Sequence, residues 1–360
     1  MPPKAIIAKE ASAETWETAR PGLLAAQKAL TASPAGIARQ VPFTALLDAE
    51  RRCTSTVHRW FAKALQLRPV EAPRALLSLD VDGVLEDDAE GFSATNLAGA
   101  AALSLLQLGH VGVVLNTARS LRDVQQRTDD FKLLGGVSYF GASVWDGVFD
   151  RECCLLTDTG ASEIDRVRAL FRKDPAALVD PSYTCSVRVS RLTEGRIRPI
   201  TAEDARMVLD EGGLNHLAFW VAPRHTDFVD RGADKGKGIE RLQTELGLGS
   251  VPLAAMGDAA CDVPMLKSAQ IAFVPAAALP SYTPSRQQRF MRSHYLGGQA
   301  VWEAACQLVP NLTLQRRVLS VAQNLRMPDW MPETLRTPPL VSRGLMPRIA
   351  NALTTRRRDA

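Results

Sequence analysis

The sequence predicts an α/β protein: a parallel sheet with helices on both faces, an inserted α+β module, and helical extensions at both ends. Three observations carry this. From residue 74 onward strand-like and helix-like segments alternate, the order that builds a parallel sheet. The same grammar resumes near residue 235, after an interval in which short strands, hairpin signals and helices mix. Before residue 73 and beyond residue 310 the patterning is helical, punctuated by prolines.

Residues 1–72 read as a helical extension broken at Pro21, Pro34 and Pro42. Its Trp60, Phe61, Leu65 and Leu67 are expected to pack on the main body, because an isolated helical pair of this size is marginal. Residues 73–124 open the core with a buried strand at 75–79, a helix over 95–108, a strand at 111–115 and a helix from about Ser120. The apolar run from Leu97 to Leu115 approaches the length of a membrane span, but Gly109-His110 divides it, so it reads as buried core. Residues 125–228 form the insertion, with strands at 136–139, 143–149 and 217–221, a hairpin over 184–200, and helices at 161–172 and 202–211. Residues 229–309 complete the core with a helix at 236–246, a strand at 252–256, a short helix at 263–268 and a strand at 270–274. Residues 310–360 turn helical, then rich in proline and arginine, and are expected to pack loosely.

Composition narrows the function classes. A hydrophobic fraction of 46% and a charged fraction of 23% are those of an ordinary globular protein, and a net charge of +4 gives no reason to expect nucleic acid. Five basic residues, Arg343, Arg348, Arg356, Arg357 and Arg358, crowd the C-terminal end as a solvated tail. No membrane partner is expected. The six cysteines lack C-x-x-C spacing and the N-terminus lacks a secretory pattern, which points to a reducing cytoplasm; Cys153-Cys154 read as a small half-buried pair.

The chemistry begins at Asp80-Val81-Asp82-Gly83, two carboxylates one residue apart where the strand at 75–79 runs out. At a strand's carboxyl end the chain is turning, so both can converge on one crevice, hold Mg²⁺ and do chemistry. A calcium-loop reading fails, because Leu85 and Gly91 occupy the required glycine and glutamate positions. Three more segments fall at strand ends or helix starts in order: Asn116-Thr117-Ala118-Arg119-Ser120, Lys235-Gly236, and Gly257-Asp258-Ala259-Ala260-Cys261-Asp262. Together with Asp80-Val81-Asp82-Gly83-Val84-Leu85 they resemble the four motifs of the haloacid dehalogenase superfamily, over roughly residues 74–309.

That resemblance implies a Rossmann-like core and a small phosphorylated metabolite as partner. A phosphate monoester dianion repels an attacking carboxylate, so a divalent cation and positive donors are needed. By resemblance, Asp80 attacks phosphorus, and Asp82 protonates the leaving alkoxide and then activates water. Mg²⁺ is held by Asp80, the Asp82 carbonyl and Asp258, while Asp262 orients Lys235 or a bound water, or caps the helix that follows. Thr117, the Ala118 amide and Lys235 bind the phosphate; Lys237 is the bland competitor for Lys235. Ala259 and Cys261 depart from the usual serine and asparagine, and Phe140 from a usual asparagine-glycine context.

An insertion between the second and third motifs resembles the superfamily's C2 cap, in its C2B form, as in sucrose-phosphate phosphatase and the Cof-like sugar phosphatases. One face of its hairpin is expected to be basic, with Arg188, Arg191 and Arg198 as candidates for an anionic substrate group against the plainer reading of a solvated surface. His216, His225 and Trp220 are expected to pack. The leading expectation is a Mg²⁺-dependent sugar phosphatase; a phosphomutase of the phosphomannomutase type and a catalytically weak binding module are the alternatives.

Overall fold

Strand β1 (Ala75–Leu79) is buried at all of its positions, as the central strand of a sheet covered on both faces must be. The structure, a computed structural model, describes residues 7–34 and 36–340. Ahead of β1, helices α1 (Ile7–Ala32) and α2 (Gln40–Ala64) pack against each other. After it come a two-stranded hairpin, β2 (Glu86–Ala89) and β3 (Phe92–Thr95), then α3 (Leu97–Leu108), β4 (Val111–Asn116) and α4 (Leu121–Phe131). Next are β5 (Gly135–Ser138), β6 (Ser143–Asp146) and β7 (Arg151–Cys154). A second layer follows with α5 (Asp158–Lys173), β8 (Ala177–Val179), β9 (Val187–Thr193), β10 (Arg196–Arg198), α6 (Ala202–Gly212), β11 (Leu217–Val221) and β12 (Thr226–Asp230). The chain returns through α7 (Lys235–Glu245), β13 (Leu253–Met256), α8 (Val263–Ser268), β14 (Ile271–Val274), β15 (Arg289–Arg292), α9 (Gly297–Leu308) and α10 (Leu312–Gln323).

The main sheet has eight strands in the order β15-β14-β13-β1-β4-β5-β6-β7. All pairings from β15 through β5 are parallel, and β6 and β7 are antiparallel. The expected α/β class with helices on both faces is what the chain adopts. Strand β1 lies between β13 and β4, where the order reverses, so loops after these three strands open into one crevice. The inserted module forms its own five-stranded antiparallel sheet.

Three expectations are corrected. Residues 135–154, read as part of the insertion over 125–228, pair into the main sheet, and the separate layer starts only after β7. Strand periodicity specifies a pleat but not its partner, so these strands look the same for either sheet. The strand expected over 143–149 stops at Asp146, whose Oδ1 accepts hydrogen bonds from the Val148 and Phe149 amides and turns the chain. The tail expected to be loose is packed as far as residue 340: Val318, Ala322, Met331 and Leu335 are buried, and Trp330 stacks on Trp16 at 4.9 Å. The arginine cluster beyond 340 lies outside the described residues. Trp60, Phe61 and Leu65 are buried in the main core cluster as expected, with Leu67 against it. Leu97–Leu115 resolves into α3 and β4 around His110, and no described helix is long and apolar enough to cross a membrane.

Helix α2 places His58 in the core. Its Nε2 accepts a hydrogen bond from the Thr95 amide at 3.1 Å and lies 3.3 Å from Glu86 Oε1. Burial, helped by Arg127 and Arg119 and opposed by Glu86, depresses its pKa from 6.5 to about 3. The unfolded chain therefore binds more protons than the folded one between these values, and stability is lost as pH falls from 6.5 toward 3. The slope from this group is about 1.4 kcal/mol per pH unit, so it removes about 2 kcal/mol between pH 7 and 5. Denaturant titrations across that range should show the loss, and His58→Gln should flatten it; parallel curves for the two chains would contradict it.

Candidate active site

Asp80 and Asp82 follow β1 directly. The Asp80 amide donates to Met256 O, so the loop after β1 leaves beside the end of β13. Gly83 has φ +76°, and a Cβ there would fall 2.4 Å from Asp258 Oδ2. This is the reason the turn carries glycine: it brings Asp258 against the first loop.

Lys235 is the first residue of α7 and is buried. Its Nζ donates to Asp80 Oδ1 at 2.8 Å and to Asp262 Oδ1 at 2.5 Å. Burial works against its charge, but Asp262 and Asp80 hold the ammonium protonated well above the usual lysine range. Lys237, by contrast, is exposed and donates to the Gly232 carbonyl. Asn116, at the end of β4, donates to the Lys235 carbonyl at 2.9 Å and anchors the start of α7. Asp262 does not cap α8. Its Oδ2 instead accepts the Asp258 and Ala259 amides, both at 2.9 Å, so main-chain donors hold this loop, with the Cys261 thiol adding a long contact to Asp262 Oδ1 at 4.0 Å.

Asp80, Asp258 and Asp262 offer oxygens within 4.8 Å of one another. Three carboxylates against one ammonium leave excess negative charge. Burial and the Asp262 charge raise Asp80 well above the carboxylate range, against the pull of Lys235, and the same two causes lift Asp258 to about 6. An all-oxygen donor set with this surplus fits a hard divalent cation such as Mg²⁺ better than zinc.

Asp82 points elsewhere. Its carboxylate, more than half exposed, receives Arg119 Nε at 2.9 Å and Nη2 at 2.5 Å, and the guanidinium holds it far below the usual carboxylate range. Arg119 also reaches Ser93 Oγ at 2.9 Å and Glu86 Oε2 at 3.3 Å. Glu86 is bound through both oxygens by Arg127, at 2.7 and 2.8 Å. Sequence reasoning quoted Asn116 and Arg119 within their motif but gave neither a role, and it missed Glu86 and Arg127. The missed signal was positional, since an arginine two residues past a strand-end threonine sits at the same sheet edge as Asp82. Thr117 and Ala118 stand after β4, beside the β1 loop; Thr117 is buried, and its Oγ1 accepts the Arg119 amide at 3.2 Å.

Over this edge lies a cavity of about 380 Å³ that Asp82 shares with the inserted layer. Of the three candidate arginines, only Arg188 lines it; it is bound at both ends by Asp227, each contact 2.7 Å, and lies 4.2 Å over the Tyr183 ring. Arg191 pairs with Asp174 and Asp204, and Arg198 is exposed on β10, so neither reaches the cavity. Residues 188 and 191 are an odd number apart, so they project from opposite faces of β9. His225, expected only to pack, also lines the cavity. His216, expected to pack, is instead exposed and pairs with Glu163 at the surface of the inserted layer. Phe140 and Trp220 stack across the two layers at 6.1 Å, and Tyr139 donates to the Ser182 carbonyl. Phe140 thus makes an apolar contact between the two layers. The next residue, Gly141 (φ +110°), has no room for a Cβ, which would lie 2.1 Å from Asp234 O.

A family model for haloacid dehalogenase-like hydrolases matches residues 212–281, the stretch that carries Lys235, Asp258 and Asp262. No curated protein sequence matches the chain. Among solved structures, a protein of Thermoplasma acidophilum is similar in fold at 15% identity and a TM-score of 0.50, covering 65% of this chain and 97% of its own. A candidate HAD/COF-like hydrolase of Plasmodium vivax is similar at 15% identity and a TM-score of 0.50, covering 70% and 99%. The sucrose-phosphatase of Synechocystis, solved with sucrose and phosphate, is also similar, at 15% identity over 66% and 98%; its TM-score of 0.47 is too low to bear on this chain's substrate. The ordered motifs and the sheet agree with the matched segment, residues 212–281, in what this chain is similar to: the haloacid dehalogenase-like hydrolases.

Proposed function

We propose that the chain is a Mg²⁺-dependent phosphatase of a small phosphorylated metabolite, a sugar phosphate or phosphorylated glycoside, acting through an aspartyl-phosphate. A reducing cytoplasmic setting suits its six free cysteines. The observation that carries the reading is Asp80, held 2.8 Å from the buried Lys235 ammonium within a carboxylate set, next to a cavity reached by Asp82. Asp80, the Asp82 carbonyl and Asp258 would hold Mg²⁺, which when bound supplies neutralising charge to the transferring oxygens.

The Asp80 carboxylate attacks phosphorus, and the bond to the ester oxygen breaks. Asp82, ionised beside Arg119 in the resting site, first takes up a proton from solvent, gives it to the departing alkoxide, and then takes one from the water that hydrolyses the aspartyl-phosphate. Thr117, the Ala118 amide and Lys235 receive the phosphoryl oxygens, and Arg119 keeps Asp82 turned toward the cavity. The inserted layer closes the cleft against bulk water, with Tyr183 and Arg188 in its wall.

Phosphate release should be measured over sugar phosphates and other phosphometabolites with Mg²⁺ and with EDTA. Release with Mg²⁺ and a loss of roughly a hundredfold or more in EDTA, restored by added Mg²⁺, is expected. Release indifferent to EDTA, or none from any substrate, would overturn the reading.

A further inference from the structure

The cavity has a third wall that belongs to neither the core nor the inserted layer. Phe43, Leu47, Glu50, Arg51 and Thr54 of α2 line it opposite Arg188 and Arg224. Helix α2 is fixed to the core by buried Cys53, Val57 and Phe61, and three polar contacts fasten it to the inserted layer. Gln40 exchanges hydrogen bonds with the Val179 main chain at 2.6 and 3.1 Å. Arg51 bridges Asp123 of α4 at 3.0 Å and Ser182 at 2.7 Å, and Arg224 donates to Glu50 Oε1 at 2.9 Å.

We propose that α2 is a specificity wall, in which Glu50 accepts hydroxyl hydrogen bonds from an uncharged, polyhydroxylated leaving group. The inference rests on the phosphatase reading. Among the described residues Arg224 occupies one Glu50 oxygen and no hydrogen bond engages the other. Neighbouring hydroxyls are committed to the main chain: Thr54 donates to Ser93 O at 2.7 Å, and Ser190 to Arg224 O at 2.8 Å. Glu50 is therefore the acceptor on this wall with capacity to spare.

The cavity's cations argue for an uncharged leaving group. Arg51 pairs with Asp123, Arg119 with Asp82, Arg127 with Glu86, Arg188 with Asp227 and Arg224 with Glu50. A second phosphate or a carboxylate on the substrate would have to break one of these pairs, and would meet Glu50 as a like charge. Phe43, Leu47, Phe92 and Ile197 add an apolar surface of the kind that takes the C–H face of a sugar ring.

Calorimetric titration of the Asp80→Asn chain in Mg²⁺ tests this by binding, with inorganic phosphate, a panel of aldose and ketose monophosphates, a hexose bisphosphate and 3-phosphoglycerate as probes. At least one sugar monophosphate should bind tenfold or more tighter than inorganic phosphate. Adding Glu50→Gln should shrink that advantage about tenfold. Glu50→Asp, which keeps the charge and withdraws it by one methylene, should do the same and covers the case in which the glutamine variant fails to fold. An advantage unchanged by both variants, no advantage for any sugar monophosphate, or tighter binding of the bisphosphate or 3-phosphoglycerate would overturn it. Phosphate release by the native chain from the same panel is read separately: a Glu50-dependent advantage without release removes the phosphatase reading and leaves the wall.

Discussion

Asp80→Asn is expected to release phosphate on the order of 10⁴-fold more slowly than the native chain, or slower still, while remaining folded. The amide keeps the size of the carboxylate and can still accept a hydrogen bond from Lys235, now 2.8 Å from Asp80 Oδ1. It cannot supply an anionic nucleophile, and loss of a covalent nucleophile removes most of the rate enhancement because its partners act through it. Stability should hold or rise, because the substitution takes one negative charge out of a buried set that also contains Asp262 and Asp258. Parallel assays of release and of thermal unfolding separate the two effects. Near-native release by the variant would remove Asp80 from the reaction.

Arg127→Met should be the most damaging substitution for stability, at about 3–5 kcal/mol. Arg127 and Glu86 are both buried, with side-chain exposures of 2% and 0%, and burial opposes the Glu86 charge that Arg127 sustains. Removing the guanidinium leaves a buried carboxylate with Arg119 at 3.3 Å, the Ser93 hydroxyl at 3.0 Å and the buried His58 ring at 3.3 Å as its remaining partners. Arg119 would be drawn from Asp82 toward Glu86, so release should also fall. A second substitution, Glu86→Leu, should recover much of the stability in the Arg127→Met chain, since the main cost is the stranded charge rather than the lost pair. Denaturant unfolding of the three chains checks this; a loss under about 1 kcal/mol for the single variant would contradict it.

Much of the core was legible because its signals are local. The strand at 75–79, the short helix at 263–268 and the strand at 217–221 fall where apolar runs and turn residues put them. The strand-end residues Asp80, Asp82 and Asp258, and Lys235 at a helix start, were legible for a related reason: once a parallel sheet is inferred, the ends of its strands and the helix starts beside them are the crevice. What stayed hidden depends on long-range pairing. The β2–β3 hairpin contains Glu86, Asp87 and Asp88, poor strand formers that a buried partner such as Arg127 makes tolerable. Residues 143–149 read as a strand, which stops at Asp146, but were assigned with the insertion rather than to the main sheet. The α2 wall was illegible because helical periodicity shows which face is buried, not whether it is buried against core or cavity. Arg188 was separated from Arg191 and Arg198 only by the register of β9 with β10 and β12.

The most direct test of the central claim is to find the phosphoryl group on the protein during turnover. The native chain, quenched in acid in the presence of Mg²⁺ and a turned-over substrate and digested at low pH, should carry one phosphoryl group on the peptide that contains Asp80, and Asp80→Asn should carry none. A phosphoryl group on a different residue, or steady release with an unmodified Asp80 peptide at every quench time, would contradict the account.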